Sequence, residues 1–504
     1  MSVINSFIAH NMRQRMRRID YFKKNPFQTQ KNQLSYLLQT AKNTEFGELY
    51  RFGKIKIEKE FQQQIPLQSY ESLLPYIERN LKGEQNLLWP GIVNWFAKSS
   101  GTTDNKSKFI PITKDNLFNC HYQAGKDILA LYCNQFHDAR IFNGRSLTMG
   151  GSHEINPLNK NSYIGDLSAI LIDNLPFWVR QMRSPKKEIT FLGDWEEKLN
   201  KMADETIHQN ITSISGVPSW TSIFFQKVLE KTGKENIEKV WPNLEMYIHG
   251  GVNFMPYTDQ YKKFFPGNKL RYIEIYNASE GFFGIQPEDN VKDLLLMLDY
   301  CIFYEFIPLE EFEKENPKTL LLEEVEINKS YALVITTNSG LWRYQLGDTI
   351  TFTSVDPHKF IISGRTKHFI NAFGEELMVG NTDKAIAIAA EKCKVNVIDY
   401  TAAPKFFAEG HCGVHEWLIE FDDAPSDLTL FTYCLDNALK SLNSDYETKR
   451  YLNLILKQPE ISIVKKGTFY EWLKSKNKLG GQNKIPRLSN DRELIEELIQ
   501  YIQK

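Results

Sequence analysis

The residue types able to handle phosphate groups gather in four stretches of the chain. In Ser99-Ser100-Gly101-Thr102-Thr103-Asp104-Asn105-Lys106-Ser107-Lys108, small hydroxyl residues surround a glycine and two lysines follow. Gly101 lets the backbone turn toward a ligand with no Cβ in the way. Hydroxyls and exposed amides can then cradle a polyphosphate, with Lys106 and Lys108 supplying compact positive charge. The GxxxxGK[ST] spacing of a P-loop is absent, and a solvated Ser/Thr/Asn turn is the alternative. In Tyr276-Asn277-Ala278-Ser279-Glu280-Gly281, a carboxylate beside a hydroxyl suits Mg²⁺ and a phosphate, and the aromatic ring can stack on a base. A plain strand-end turn would use the same residues. Trp342-Arg343-Tyr344-Gln345-Leu346-Gly347-Asp348 puts an aspartate after a glycine, where it can accept hydrogen bonds from a ribose diol or simply close a hairpin. Gly364-Arg365 adds a cation able to reach the same ribose or phosphate. Finally, Gly480-Gly481-Gln482-Asn483-Lys484-Ile485-Pro486-Arg487 sets a lysine between glycines and a proline. Carried into a site by domain motion, Lys484 could neutralise charge on a carboxylate attacking an α-phosphate; otherwise it is one more exposed lysine.

These groups need strands whose ends present them. Short apolar runs followed by turn residues read as strands at Val93–Ala97, Ser146–Met149, Ile211–Ile214, Met246–Ile248, Tyr272–Tyr276 and Leu333–Thr336. Helical patterns such as Thr221–Lys231 separate several of them, which predicts an α/β core. The first ninety residues read as mainly helical, with Leu34, Leu37 and Leu38 at helical spacing. Tyr331–Thr337, Leu341–Leu346, Thr349–Val355 and Phe360–Ser363 are joined by short connections and read as antiparallel strands. Gly364 then punctuates the chain, and the expected domains are 1–365 and 366–504. The second reads as a compact α+β unit, with strands at Val395–Asp399, Trp417–Phe421 and Ile461–Val464 and helices at Leu428–Leu442 and Arg492–Ile502. Lys474–Arg487 reads as one long polar loop of the kind that often carries function.

Lysine and arginine number 61 against 62 aspartates and glutamates, so no large basic field invites nucleic acid. The six cysteines, Cys120, Cys133, Cys301, Cys393, Cys412 and Cys434, form no CxxC pair, which predicts reduced thiols in a cytoplasmic setting. His411-Cys412…His415 lacks the paired spacing of a zinc module. Arg13, Arg15, Arg17 and Arg18 follow the apolar start, the wrong order for a secretory signal. They fit either a helix on a membrane surface or a helix packed on its own domain with its basic groups in solvent. The apolar stretch Leu294–Leu309 contains Asp299 and Glu305, so no transmembrane segment is expected.

Taken in order, the four stretches resemble the Gretchen Hagen family of acyl acid amido synthetases, also called the auxin-responsive promoter family. That family lies within the adenylate-forming superfamily of acyl-CoA ligases and luciferase. Ser99–Lys108 with Phe109-Ile110-Pro111 resembles the family's first nucleotide motif, Tyr276–Glu280 its second and Tyr344–Asp348 its third. Gln482–Arg487 is similar to its C-terminal Gln-x-Lys-x-Pro-Arg loop, and Ser215-Gly216-Val217-Pro218-Ser219 and His249-Gly250-Gly251 are similar to further family segments. The resemblance implies a large N-terminal adenylate-forming domain of mixed sheets and helices and a small mobile α+β lid. It implies ATP as substrate, AMP as product and Mg²⁺ as cofactor. Ser99, Ser100, Thr102, Thr103 and Lys108 would hold the phosphates, with Gly101 in their loop. Tyr276 would stack on adenine beside Ser279 at the α-phosphate. Glu280 would bind Mg²⁺, Asp348 and Arg365 the ribose, and Gly250 and Gly251 would lie against the adenylate, with Lys484 serving adenylation. An acyl acid would become acyl-AMP and then pass to an amine such as an amino acid. A thiol acceptor and a non-catalytic nucleotide-binding scaffold are the rival readings. Asn105 stands where the superfamily usually has glycine, and Gly364-Arg365-Thr366-Lys367 is closer to acyl-CoA ligases than to the plant enzymes. By position alone, Tyr122–Tyr132 and Leu167–Val179 would line part of the acyl pocket, where Phe142, Tyr163, Phe177 and Trp178 serve either the pocket or the core. The oligomeric state is not legible.

Overall fold

The computed structural model describes the chain except residues 1–9, 100–107, 252–253, 255–257, 268, 290, 313, 366–368, 376, 408–411, 454, 477–484 and 504. Two compact units emerge. One gathers Met1–Ser99, Lys108–Gly251 and Lys262–Thr366, and the other is formed chiefly by Lys367–Lys504.

The strands of the larger unit begin with β1 (Trp95–Ser99), β2 (Lys108–Ile112), β3 (Arg145–Thr148), β4 (His153–Ile155), β5 (Tyr163–Gly165), β6 (Arg183–Ser184), β7 (Ile211–Ser215) and β8 (Met246–Gly250). They continue with β9 (Arg271–Ala278), β10 (Gly281–Ile285), β11 (Leu294–Leu296), β12 (Ile302–Pro308), β13 (Ser330–Thr337), β14 (Tyr344–Val355) and β15 (His358–Arg365). Among the described residues, β2-β1-β5-β4 form a small sheet, and an eleven-stranded sheet runs β12-β13-β14-β15-β11-β10-β9-β8-β7-β3-β6. The half from β6 to β9 is parallel, and the half from β9 to β12 is antiparallel. The parallel half needs crossovers, and Pro218–Thr232 supplies the one between β7 and β8, starting on a proline whose missing N–H costs nothing in a first turn. The runs expected at Leu341–Leu346 and Thr349–Val355 are not separate strands. Gly347, at φ +92°, is part of the single strand β14, and register shifts against β13 and β15 absorb the irregularity.

N-terminal helices cover the antiparallel half. Pro26–Ala41 buries Leu34, Leu37, Leu38 and Ala41. Its Gln30 amide nitrogen donates to the carbonyls of Leu298 and Ile302, each at 3.0 Å, and its amide oxygen accepts from the Tyr304 N–H at 2.8 Å. The arginine-rich start does not simply face solvent, as the domain-packed alternative had it. Arg15 pairs with the fully buried Asp127 at 2.7 Å, Arg18 reaches Asp299 at 3.2 Å, and Arg13 donates to the carbonyl of Cys133 at 2.9 Å. Buried carboxylates need such partners, and a sequence pattern cannot show where they are. Among the described residues no helix is long and apolar enough to cross a membrane.

Burial lifts the Asp299 carboxyl to about 6, the charge on Arg18 opposing the shift only in part. The folded state then holds this proton where the unfolded chain, with its lower carboxyl pKa, has released it. The group's favourable contribution is complete below pH 3.8 and is lost as pH rises through about 6. Asp299→Asn should therefore gain stability relative to the parent between pH 4.5 and 7, by on the order of 1–3 kcal/mol in urea denaturation. A difference that does not change with pH would refute this reading.

The smaller unit contains β16 (Phe369–Ile370), β17 (Leu377–Met378), β18 (Val397–Phe406), β19 (Gly413–Phe421) and β20 (Glu460–Val464). β18 and β19 are antiparallel, and β19 and β20 are parallel. Helices Val379–Cys393, Leu428–Leu442, Ser444–Arg450, Thr468–Ser475 and Glu493–Ile502 complete a small α/β unit. The first residues of the expected loop Lys474–Arg487 close the helix Thr468–Ser475 instead. His415 is buried and meets Glu375 at 2.7 Å across its Nε2, while His411 lies outside the described residues.

Candidate nucleotide and acyl site

In an open parallel sheet, ligands bind beyond the carboxyl ends of the strands. Here β3, β7, β8 and β9 run parallel, so one edge of the sheet carries Met149-Gly150-Gly151, Gly216-Val217, Gly250-Gly251 and Ser279-Glu280. At Gly250 the strands pack too closely for a side chain. A Cβ on Gly250 would stand 2.4 Å from the backbone oxygen of Ile275 on β9, so the residue must be glycine if the two strands are to stay paired. Ser215 Oγ donates to Thr148 Oγ1 at 3.2 Å, and the Gly216 N–H donates to the Ile248 carbonyl at 3.1 Å, fixing these turns to one another.

Gly150-Gly151 was not singled out from the sequence, although a Gly-Gly pair after a strand was the available signal. A second element holds it. The ammonium group of Lys198, a residue of the helix Trp195–Thr206, donates to the carbonyls of Gly150 and Gly151, the latter at 3.3 Å. The Gly151 N–H donates to Ser168 Oγ at 2.9 Å and the Ser152 N–H to Asp166 Oδ2 at 2.8 Å. Burial lowers Lys198 to about 8. A buried lysine beside the apolar Leu199, Met202 and Ala203 of this helix has no sequence signature. Tyr122 donates its hydroxyl to the carbonyl of Leu171 at 2.7 Å, so the two segments expected to line an acyl pocket do meet.

The second and third motifs are joined directly. Tyr276, almost buried on β9, donates its hydroxyl to Asp348 Oδ2 on β14, while its ring lies 4.9 Å from Phe283 and 6.1 Å from Phe360. Asp348 is itself the cross-strand partner of Arg365 in the β14–β15 ladder. Glu280 is buried at the end of the two-residue β9–β10 turn, one residue after the half-buried Ser279. The first motif ends at Lys108, whose ammonium lies 3.5 Å from the Tyr344 hydroxyl and 5.3 Å above the Tyr70 ring. Tyr70 in turn accepts the Phe109 N–H at 2.8 Å. Burial, and after it the charges of Glu280 and Glu71, raise the pKa of the Tyr344 hydroxyl well above its ordinary value, so it stays neutral. Lys108, Tyr344, Glu280, Tyr276 and Asp348 thus form one neighbourhood of cation, carboxylates and phenols within the larger unit. His249, beside Gly250, is kept neutral by burial, which pushes it down to about 3. Ser99 ends β1, where its backbone pairs with Lys108. Ser100, Gly101, Thr102, Thr103 and Lys484 lie outside the described residues.

The chain is 24% identical to the indole-3-acetic acid-amido synthetase GH3.3 of Arabidopsis thaliana, over 96% of this chain and 93% of that protein. The fold matches the structure of the acyl acid amido synthetase AtGH3.15 in complex with 2,4-DB, with a TM-score of 0.62, 18% identity, and 98% and 97% of the two chains covered. A more distant likeness, at a TM-score of 0.55 and 11% identity over 95% and 92% of the chains, is to a 2-hydroxyisobutyryl-CoA ligase in its thioesterification state. Residues 15–270 match the GH3 family N-terminal domain, 295–365 its central domain and 380–493 its C-terminal domain, so this chain belongs to the GH3 family.

Proposed function

We propose that this chain activates an acyl acid with ATP and transfers the acyl group to an amine, as an acyl acid amido synthetase. The observation that carries the reading is the bond between Tyr276 and Asp348. It ties two separate sequence motifs into one wall beside Lys108 and Glu280, in a chain of the family whose relatives are named for amide formation. In the first half-reaction a carboxylate oxygen attacks the α-phosphorus of ATP. The bond to the bridging oxygen of the β-phosphate breaks, and pyrophosphate leaves. In the second, the amine nitrogen attacks the acyl carbon, the bond to AMP breaks, and a proton is released.

Two anions must meet in the first step, so the site needs positive charge where negative charge builds up. Lys108, held by Tyr344 and Tyr70, would bind the phosphates together with Ser99, Ser100, Gly101, Thr102 and Thr103. Lys484 would neutralise charge at the α-phosphate. Asp348 and Arg365 would take the ribose, Tyr276 and Ser279 the adenine and α-phosphate side, and Gly250 and Gly251 the flank of the adenylate. Among the described residues no three His, Cys, Asp or Glu side chains cluster as a metal cage. Glu280 would hold Mg²⁺, with phosphate oxygens and water as further ligands, as is common for this ion. When bound, Mg²⁺ would offset phosphate charge. Movement of the C-terminal unit between the half-reactions, to admit the amine, belongs to the same proposal.

The test is pyrophosphate exchange with a panel of acyl acids beginning with indole-3-acetic acid, followed by product masses after adding amino acids or coenzyme A. Acid-dependent exchange and an amide product are expected. A thioester product would move the chain to the acyl-CoA ligase chemistry that Gly364-Arg365-Thr366-Lys367 resembles, and ATP binding without exchange would leave a scaffold. Asp348→Ala should raise the KM for ATP about tenfold, the effect of losing one charge-assisted hydrogen bond, with less change in the KM for the acid. An unchanged ATP KM would remove Asp348 from the nucleotide.

A further inference from the structure

From Ile485 onward the described chain is fastened to the smaller unit by both apolar and polar contacts. Ile485 is buried in a cluster with Ala403, Leu418 and Trp472, and Leu488 is buried as well. The Ala402 N–H donates to the Arg487 carbonyl at 2.9 Å, the Ser489 N–H donates to the Ala402 carbonyl at 3.1 Å, and Thr401 Oγ1 donates to the Pro486 carbonyl at 2.7 Å. These contacts already attach residues 485–489 to β18. Arg487 adds a second layer. Its guanidinium lies 4.9 Å over the Tyr400 ring, donates to Asp383 of the helix Val379–Cys393, and stands 3.6 Å from Asp399. The Tyr400 hydroxyl donates to the same Asp383 oxygen at 2.6 Å and meets Thr382 at 2.7 Å, so ring, carboxylate and arginine orient one another.

Arg487 and Asp383 are both about two-fifths exposed, and ion pairs so open to water contribute little stability. Burial of Ile485 and Leu488 fastens the segment without them. What the stacked, doubly paired arginine adds is direction: it fixes the path of the chain at a point whose Cα chain reaches Lys484 across three peptide bonds, each about 3.8 Å between Cα atoms. We propose that Arg487, held by Tyr400 and Asp383, is a positioning residue for the Lys484-dependent step. This rests on the adenylation reading given above, and it predicts an effect on one half-reaction only. Misplacing a reacting group by about 1 Å can cost roughly a hundredfold in rate.

The experiment compares the full-length parent, Arg487→Ala, Arg487→Lys, Tyr400→Phe and Lys484→Ala. Each is assayed for pyrophosphate exchange with the best acid of the panel and, separately, for transfer from that acid's synthetic adenylate to the amine. Arg487→Ala should lower the exchange kcat roughly 10- to 100-fold with the KM for ATP held within about twofold. Transfer from the adenylate and the urea midpoint should stay near the parent's. Arg487→Lys should recover part of the loss, because it keeps the charge at Asp383 but not the planar stack. Tyr400→Phe, which keeps the ring and removes only the hydroxyl that orients Asp383, should show a smaller loss of the same kind. If exchange and transfer fall together in Arg487→Ala and Tyr400→Phe alike, or if exchange falls in Lys484→Ala but in neither of them, the positioning role is wrong while adenylation stands. Absence of exchange in the parent overturns adenylation itself, and the positioning role with it.

Discussion

Replacing Lys484 with alanine should slow acyl-adenylate formation by roughly 10²–10³-fold, the range seen when one group that meets developing transition-state charge is removed. The reasoning is electrostatic. A carboxylate and a triphosphate repel, and the repulsion peaks as the oxygen closes on phosphorus. A cation that approaches only at that moment lowers the barrier without tightening ground-state binding, so kcat should fall while the KM for ATP changes little. Lys108 faces the opposite expectation. It is fixed in place by Tyr344 and Tyr70 and would act on ATP before and during reaction alike, so its loss should appear in KM as well. Steady-state pyrophosphate exchange, with both substrates varied, separates the two patterns. Full exchange activity in Lys484→Ala would remove that residue from the chemistry.

The largest stability loss should come from Glu305→Ala. Glu305 on β12 and Arg343, the residue before β14, form a buried two-pronged pair, Nε to Oε2 at 2.9 Å and Nη2 to Oε1 at 2.8 Å. Thr319 Oγ1 donates to the carboxylate at 2.8 Å and accepts from the guanidinium at 2.9 Å, while the Gln62 and Ile65 carbonyls take the remaining arginine nitrogen. Removing the carboxylate leaves a buried, charged guanidinium among carbonyls with no counter-charge, which costs about 3–5 kcal/mol. Glu305→Gln keeps the shape and part of the hydrogen bonding, so it should cost less, about 1–3 kcal/mol. Urea unfolding midpoints of the two variants test this, and a Glu305→Ala loss under about 1 kcal/mol would show that the pair is not needed. Arg343 also lies between Trp342 and Tyr344 with φ at +44°, a left-handed conformation that a non-glycine residue holds only when its surroundings impose it. Freed from Glu305, it should relax and shift Tyr344, so ATP affinity should weaken in the folded fraction as well.

Much of this was legible in residue order, and the exceptions share a cause. The helix Leu428–Leu442 was read to the residue because Asp427 caps its first turn and its apolar positions keep helical spacing. The helix Val379–Cys393 was missed because it starts directly from β17, with no turn or capping residue to announce it. Gly347-Asp348 read as a turn because glycine and aspartate favour turns, but in β14 the same pair serves as an irregularity within a strand. Tyr276 and Asp348 were each identified as nucleotide residues, yet their mutual bond was not, since β10, β11 and β15 lie between their strands in the sheet and only strand order brings them together. Lys198 and Arg15 show the same limit for charges. Their types predict solvent, and their partners, Gly150 and Asp127, are set by tertiary structure alone.

The attachment of the Pro26–Ala41 helix through Gln30 has a bearing on how the protein is made. Its docking partners Leu298, Ile302 and Tyr304 are translated some 270 residues later. At about 5–20 residues per second, this helix waits on the order of 15–55 s beside the ribosome with Leu34, Leu37 and Leu38 uncovered. A nascent chain with so long an interval before closure is a natural client for ribosome-associated chaperones, and its yield in cells should depend on their supply more than its final stability would suggest.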